Sequence, residues 1–162
     1  MDTLKNIFQD RYAEILAYLD LLENIEMAIQ AGVPRIGGEN GATISAQQQK
    51  ILKSGVYLQL YNLIESTVTN CLDAVSRTAI TAVSRLPSDL SNELRREWVK
   101  YVAKTNVDQG AEKRLSNAIV LCEHLVNSLP IASFEIEKGG GGNWDDDQIS
   151  KVAKRIGCNI RI

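Results

Sequence analysis

The 162 residues suit a single domain around one core, and 44% apolar with 23% charged residues is the balance of an ordinary soluble globular protein. Eighteen basic against twenty acidic side chains leave −2, which neither demands nor excludes a nucleic-acid partner, because local clustering counts for more than the sum. No apolar run reaches the ~18 residues a membrane span needs, and the acidic amphipathic N-terminus is not a signal peptide.

The charges cluster unevenly. Residues 1–30 carry two cations, Lys5 and Arg11, against six anions, whereas from Arg77 onward thirteen cations face eleven anions. A polyanion is therefore expected to meet the second half. Cys71, Cys122 and Cys158 are odd in number and two lie within helical patterns, which points to reduced thiols in a cytoplasm. No CxxC pair or His-x-His spacing indicates zinc, and no cofactor or metal is expected.

Along the chain, residues 3–31 read as a long amphipathic helix with Leu4, Ile7, Phe8, Ile15, Leu19, Leu22, Ile25 and Ile29 at spacings of three and four. Gly32 and Pro34 stop it, and residues 32–45 (GVPRIGGENGATIS is their glycine-rich stretch) read as a flexible loop. Ser45 with Gln48 forms a capping-box pattern for a helix from about Gln47 to about Ser84, with a kink or break expected near Gly55 or after Val75. Its part ILKSGVYLQLYNLIESTVTNCLDAV is apolar on all sides, the pattern of a helix in the middle of a bundle.

Pro87 marks a turn before helix 91–104, whose apolar stripe is Leu94, Trp98 and Tyr101. Helix 111–129 follows, with Leu115, Ala118, Ile119, Cys122, Leu125, Val126 and Leu129 assigned inward and His124 outward. Residues 131–137 alternate in the strand manner but have nothing obvious to pair with, so they are expected to be extended rather than sheet. Residues 138–143 read as a second flexible loop, after which Asn143 or Asp145 caps a last helix ending at Gly157. The fold expectation is all-α: an up-and-down bundle of about five helices with a long central one.

Three blocks in order, DRYAEILAYLDLLENIE, GVYLQLYNLIESTV and GNWDDDQISKVAKRIG, resemble a bacterial group of HEPN proteins, and LSNELRREWV fits the same group. Relatives of this kind include RNA-cutting toxins and phage-defence nucleases. The resemblance implies metal-free RNA scission by an Arg four to six residues before a His on a late helix, paired across a dimer. There the imidazole moves the proton of the ribose 2′-hydroxyl and the guanidinium stabilises the phosphorane charge.

That motif is absent from this chain. Its single histidine, His124, is preceded at those spacings by Val120, Ile119 and Ala118, and the nearest upstream arginine is Arg114. In the group resembled, the pair follows the segment that reads GNWDDDQISKVAKRIG here. The expectation is therefore one HEPN-like domain over 1–162 lacking its catalytic helix, either truncated or catalytically silent. The alternative is a non-enzymatic module that dimerises or binds a partner protein, such as an antitoxin or another subunit of a defence complex.

Two constellations are the site candidates. Tyr61, Asn62 and Glu65 interrupt the apolar central helix and form either a hydrogen-bonded lock between helices or the polar wall of a cleft. Arg95, Arg96, Lys100 and Lys104 recur at helical spacing, as a phosphate-binding stripe does, although Glu93 and Glu97 among them also fit a solvated face with ion pairs. The glycines at 139–142 lack a phosphate-loop signature and read as a linker, and Asp145, Asp146 and Asp147 read as a helix start rather than a cation site.

Overall fold

The computed structural model describes residues 2–32, 34–36, 38, 40–81, 84–105, 107–139 and 144–160. They form an all-α helical bundle: α1 (Asp2–Ala31), α2 (Ala46–Thr81), α3 (Asn92–Ala103), α4 (Ala111–Val126) and α5 (Asp146–Arg155). A 3₁₀ turn at Pro87–Asp89 and a two-strand ribbon, β1 (Arg35–Ile36) and β2 (Ala42–Thr43), complete the elements. The chain divides into two compact units, residues 1–67 and 68–162.

In the first unit α1 packs beside the opening of α2, with Ile15, Ile44 and Leu63 buried. The capping box holds as read: the Ser45 N–H donates to Gln48 Oε1 at 2.8 Å, and the Gln48 N–H donates to Ser45 Oγ at 3.2 Å. The segment expected to be a plain loop carries the ribbon, antiparallel with Arg35 opposite Thr43 and Ile36 opposite Ala42. α2 runs unbroken through Gly55. A Cβ there would lie 2.7 Å from the Tyr18 hydroxyl, so the glycine serves close approach rather than a kink.

Burial along α2 is uneven, and this corrects the reading of a helix covered on all sides. Leu72 and Ala79 are each 2% exposed, whereas Tyr57 is 77% and Leu58 61% exposed. Within residues 1–67 only α1 is available to cover the first half of α2, and one helix covers one stripe.

In the second unit Leu72, Ala79, Leu90, Trp98, Ile131, Phe134, Ile136 and Val152 form the core. The alternation holds over 134–137, and among the described residues the stretch has no strand partner, as expected: Ile131, Phe134 and Ile136 are buried while Ala132, Ser133, Glu135 and Glu137 are exposed. Its backbone is anchored at separate points. The Ile131 N–H donates to the Arg85 carbonyl at 2.8 Å, and the Ile136 N–H donates to Ser76 Oγ at 3.1 Å. The Ser91 side chain caps α3 and that of Asp145 caps α5, while Gly157 at φ 78° follows the last turn of α5. Of the second expected loop, residues 140–143 lie outside the described residues.

α4 is turned differently from its aliphatic pattern. Leu115, Ile119, Leu125, Val126 and Leu129 are exposed, and the half-buried positions are Asn117, Leu121 and His124. The His124 ring meets Trp98 edge to face, with centroids 5.7 Å apart and planes at 83°. Asn117 Nδ2 donates to Gln109 Oε1 at 2.8 Å. The face toward the core thus carries one aliphatic residue between two polar ones, and a search for Leu and Ile selects the opposite face.

Candidate functional site

One edge of α3 and the extended segment border a cavity rich in charged side chains. Glu97, Lys100, Tyr101 and Lys104 fall at i, i+3, i+4 and i+7 on α3, which places them on one face. Glu135, Glu137 and Lys138 come from the segment whose alternate residues Phe134 and Ile136 are buried. With Val107 these residues line a space of about 460 Å³.

Charge is largely internally matched there. Glu97, 4% exposed, is the hub: its carboxylate lies 2.7 Å from Lys100 Nζ and 3.1 Å from Arg155 Nε. The Arg155 guanidinium also donates to the Glu137 carbonyl, and so joins α3, α5 and the extended segment. Lys138 pairs with Asp73 at 3.0 Å. Lys104 ends α3 in the left-handed region at φ 49°, and its ammonium makes no ion pair among the described residues. A carboxylate so buried is tolerated because two cations compensate it. Glu97 thus works as a structural counter-ion, and Lys104 shares the cavity lining with the carboxylates of Glu135 and Glu137.

The other cations of the expected stripe divide by role. The Arg95 guanidinium donates to the carbonyls of Pro87 at 3.0 Å, Ser88 at 2.9 Å and Leu90 at 3.1 Å, fastening the 3₁₀ turn to α3. Arg96 is exposed and makes no ion pair among the described residues. Arg95, Arg96 and Lys100 share a shallow opening with Asn92 and Val99. Of the four side chains, those of Arg96 and Lys104 make neither an ion pair nor a hydrogen bond among the described residues.

Tyr61, Asn62 and Glu65 are not gathered together. Asn62 lines a cleft of about 250 Å³ in the first unit with Arg11, Glu14, Gln59 and Ser66, whereas Tyr61 and Glu65 are half-buried and do not line it. None of the three makes a hydrogen bond to another described side chain. Glu97 and Arg155 are the residues that pattern reading missed. In sequence Glu97 is one charge in the run ELRREWVK, and only its place next to Trp98 hints that it is buried.

His124 faces Trp98, with Nδ1 buried and unpartnered. Arg114, ten residues earlier, stands roughly 15 Å away along α4, and its guanidinium pairs with Asp108 at 3.1 Å. No guanidinium–imidazole pair forms between them.

A family model described as HEPN_MAE_28990-like HEPN matches residues 1–162. The chain belongs to this HEPN family. Neither the comparison with curated proteins nor that with solved structures gave a match. The HEPN assignment agrees with the helical bundle and with the ordered blocks seen in the sequence. In this HEPN protein no helix among the described residues is long and apolar enough to cross a membrane.

Proposed function

We propose that this chain is a HEPN protein related to the metal-independent endoribonucleases of toxin–antitoxin and phage-defence systems, and that residues 1–162 do not themselves cut RNA. The observation behind this reading is the position of His124. A general base must reach the 2′-hydroxyl, with a cation beside it for the phosphorane. Here the only imidazole packs against Trp98, and Arg114 is held by Asp108. Contact with RNA is assigned to Arg96 and Lys104, whose side chains make no ion pair among the described residues. Incubating the purified chain with a mixed RNA pool tests the reading: intact RNA is the expected result, and cleavage that co-purifies with the protein and is lost in His124→Ala contradicts it.

A second reading, a module that binds a partner protein or a second copy, is favoured by a different observation. Large apolar side chains stand exposed along α1, the first half of α2 and α4, including Phe8, Tyr12, Leu16, Tyr57, Leu58 and Val126. Each unit thus shows large apolar side chains to its surroundings, which is unusual for a protein that works alone. Light scattering on the eluting chain checks it. A strict monomer that binds no partner protein counts against it.

A further inference from the structure

A Schellman motif closes the end of α5. The Gly157 N–H donates to the Lys154 carbonyl at 3.1 Å and the Cys158 N–H to the Ala153 carbonyl at 2.8 Å, with Gly157 in the left-handed region at φ 78°. This pair of bonds folds Cys158 back over Ala153, the residue that a side chain in its position customarily covers. Val152 and Ala153 form the buried face of α5. Cys158 therefore stands at the rim of the core and not on a free tail.

Cys71 borders the same core from α2. It lies three residues after Val68 and four before Val75, both packed on the core, and it directly precedes Leu72. Leu72 and Val152 belong to one buried cluster, against which Ile156 packs as well. Desolvation and then the charge of Cys158 raise the Cys71 thiol, so the two sulfurs feel each other. Both are free thiols open to solvent, as is Cys122 on α4.

We infer that Cys71 and Cys158 are a dithiol that closes reversibly to a disulfide, a redox-sensitive strap fastening the end of α5 to α2. The inference is independent of the RNA and partner-binding readings above. Closure ties down the turn that follows Arg155, whose Nε lies 3.1 Å from the Glu97 carboxylate. The strap thus acts on the join between α3, α5 and the extended segment.

The oxidant is a small-molecule disulfide of the glutathione class. A Cys158 thiolate attacks one of its sulfurs, the S–S bond breaks, and one small thiol leaves, giving a mixed disulfide. The attack falls to Cys158 because burial and the facing charge keep Cys71 protonated. In the mixed disulfide that charge is gone. Cys71 then gives up its proton, attacks the Cys158 sulfur and expels the second small thiol. Two protein thiols have become one disulfide, one small disulfide has become two small thiols, and both protons end on the latter.

The test uses the whole chain as a Cys122→Ser variant in glutathione redox buffers. Peptide mapping of the monomeric protein is expected to find Cys71 joined to Cys158. The oxidised chain unfolds at a higher temperature than the reduced one, because the bond closes a loop between residues 71 and 158. The disulfide is favoured at least about tenfold more in buffer than in urea, since the fold holds the thiols together. Adding Cys71→Ser or Cys158→Ser leaves a glutathione adduct on the other cysteine and no rise in unfolding temperature. Circular dichroism shows that these exposed sites leave the fold intact.

Separate glutathione adducts on Cys71 and Cys158 in the folded chain overturn the inference. So does a disulfide no more favoured in buffer than in urea: the bond needs Cα atoms within about 7 Å, and the fold would then not be supplying that approach. Preferential pairing through Cys122 in the three-cysteine chain overturns it as well. A disulfide that lowers the unfolding temperature rules out a strap, because closure then distorts the fold.

Discussion

The hydroxyl of Tyr18 donates to the carbonyl oxygen of Leu52 at 2.7 Å, and the same oxygen atom of Tyr18 fills the space where residue 55 would carry a Cβ. A side chain of α1 thereby takes up a backbone acceptor within α2, and glycine is what lets it approach. Gly55→Ala gains about 0.5–1 kcal/mol of helix propensity but displaces the hydroxyl and forfeits a hydrogen bond of about 0.5–1.5 kcal/mol. The single variant is therefore close to neutral. In a Tyr18→Phe background the same change stabilises the protein, and a double-mutant cycle by urea denaturation reads the coupling. Strict additivity contradicts the close approach.

Glu97→Gln preserves shape and removes the charge between Lys100 and Arg155. Both cations retain partial access to solvent, so a loss of about 1–3 kcal/mol is expected, less than for a fully enclosed pair. Thermal unfolding measures it, and a change within experimental error removes Glu97 from its role as hub.

Ser76→Ala leaves the buried Ile136 N–H without an acceptor. The expected destabilisation is about 1–3 kcal/mol. Hydrogen exchange adds a local readout: the Ile136 amide loses protection, while that of Ile131, bonded to the Arg85 carbonyl, retains it.

The thiol of Cys71 is pushed above its ordinary value, first by desolvation and then by the neighbouring charge of Cys158. The folded chain therefore holds this proton at pH values where the unfolded chain releases it. Its contribution to stability is fully present below the ordinary thiol pKa of about 8.5 and is lost as pH rises through the folded value. Cys71→Ser flattens the alkaline limb of stability against pH, and alkylation of Cys71 at pH 8 runs slower than that of Cys122.

Arg96→Glu with Lys104→Glu changes surface charge and leaves stability within about 0.5 kcal/mol of the parent. If α3 contacts RNA as proposed, fluorescence anisotropy will show weaker binding and a shallower dependence on salt, by about two phosphate contacts. An unchanged salt slope separates these side chains from RNA. Arg95→Ala is the contrasting case, because its guanidinium fastens three carbonyls and its loss affects folding.

Helices and caps were legible because their signals are local: Ser45 with Gln48, Pro87 before α3, Asp145 and Gly157 around α5. What escaped was the facing of α4 and the depth of Glu97. Both depend on partners remote in sequence. Trp98 draws His124 inward although aliphatic residues occupy the opposite face, and Glu97 is buried because Arg155 arrives from α5. Tyr61, Asn62 and Glu65 are neighbours in sequence, but 100° per residue sends Asn62 into one cleft and the other two away from it. The candidate site was thus half visible: Lys100 and Lys104 as part of a stripe, and Glu135, Glu137 and Lys138 only once Phe134 and Ile136 had turned inward.

The Ser76–Ile136 hydrogen bond closes a separation of 60 residues, whereas Tyr18 and Leu52 are 34 apart. During synthesis α1 and the opening of α2 therefore have their partners early, but Leu72 and Trp98 wait until Ile136 and Val152 have left the ribosome. Through that interval the nascent chain displays its greasiest surfaces, so a pause in translation between α3 and α5 leaves it most open to chaperone capture or aggregation.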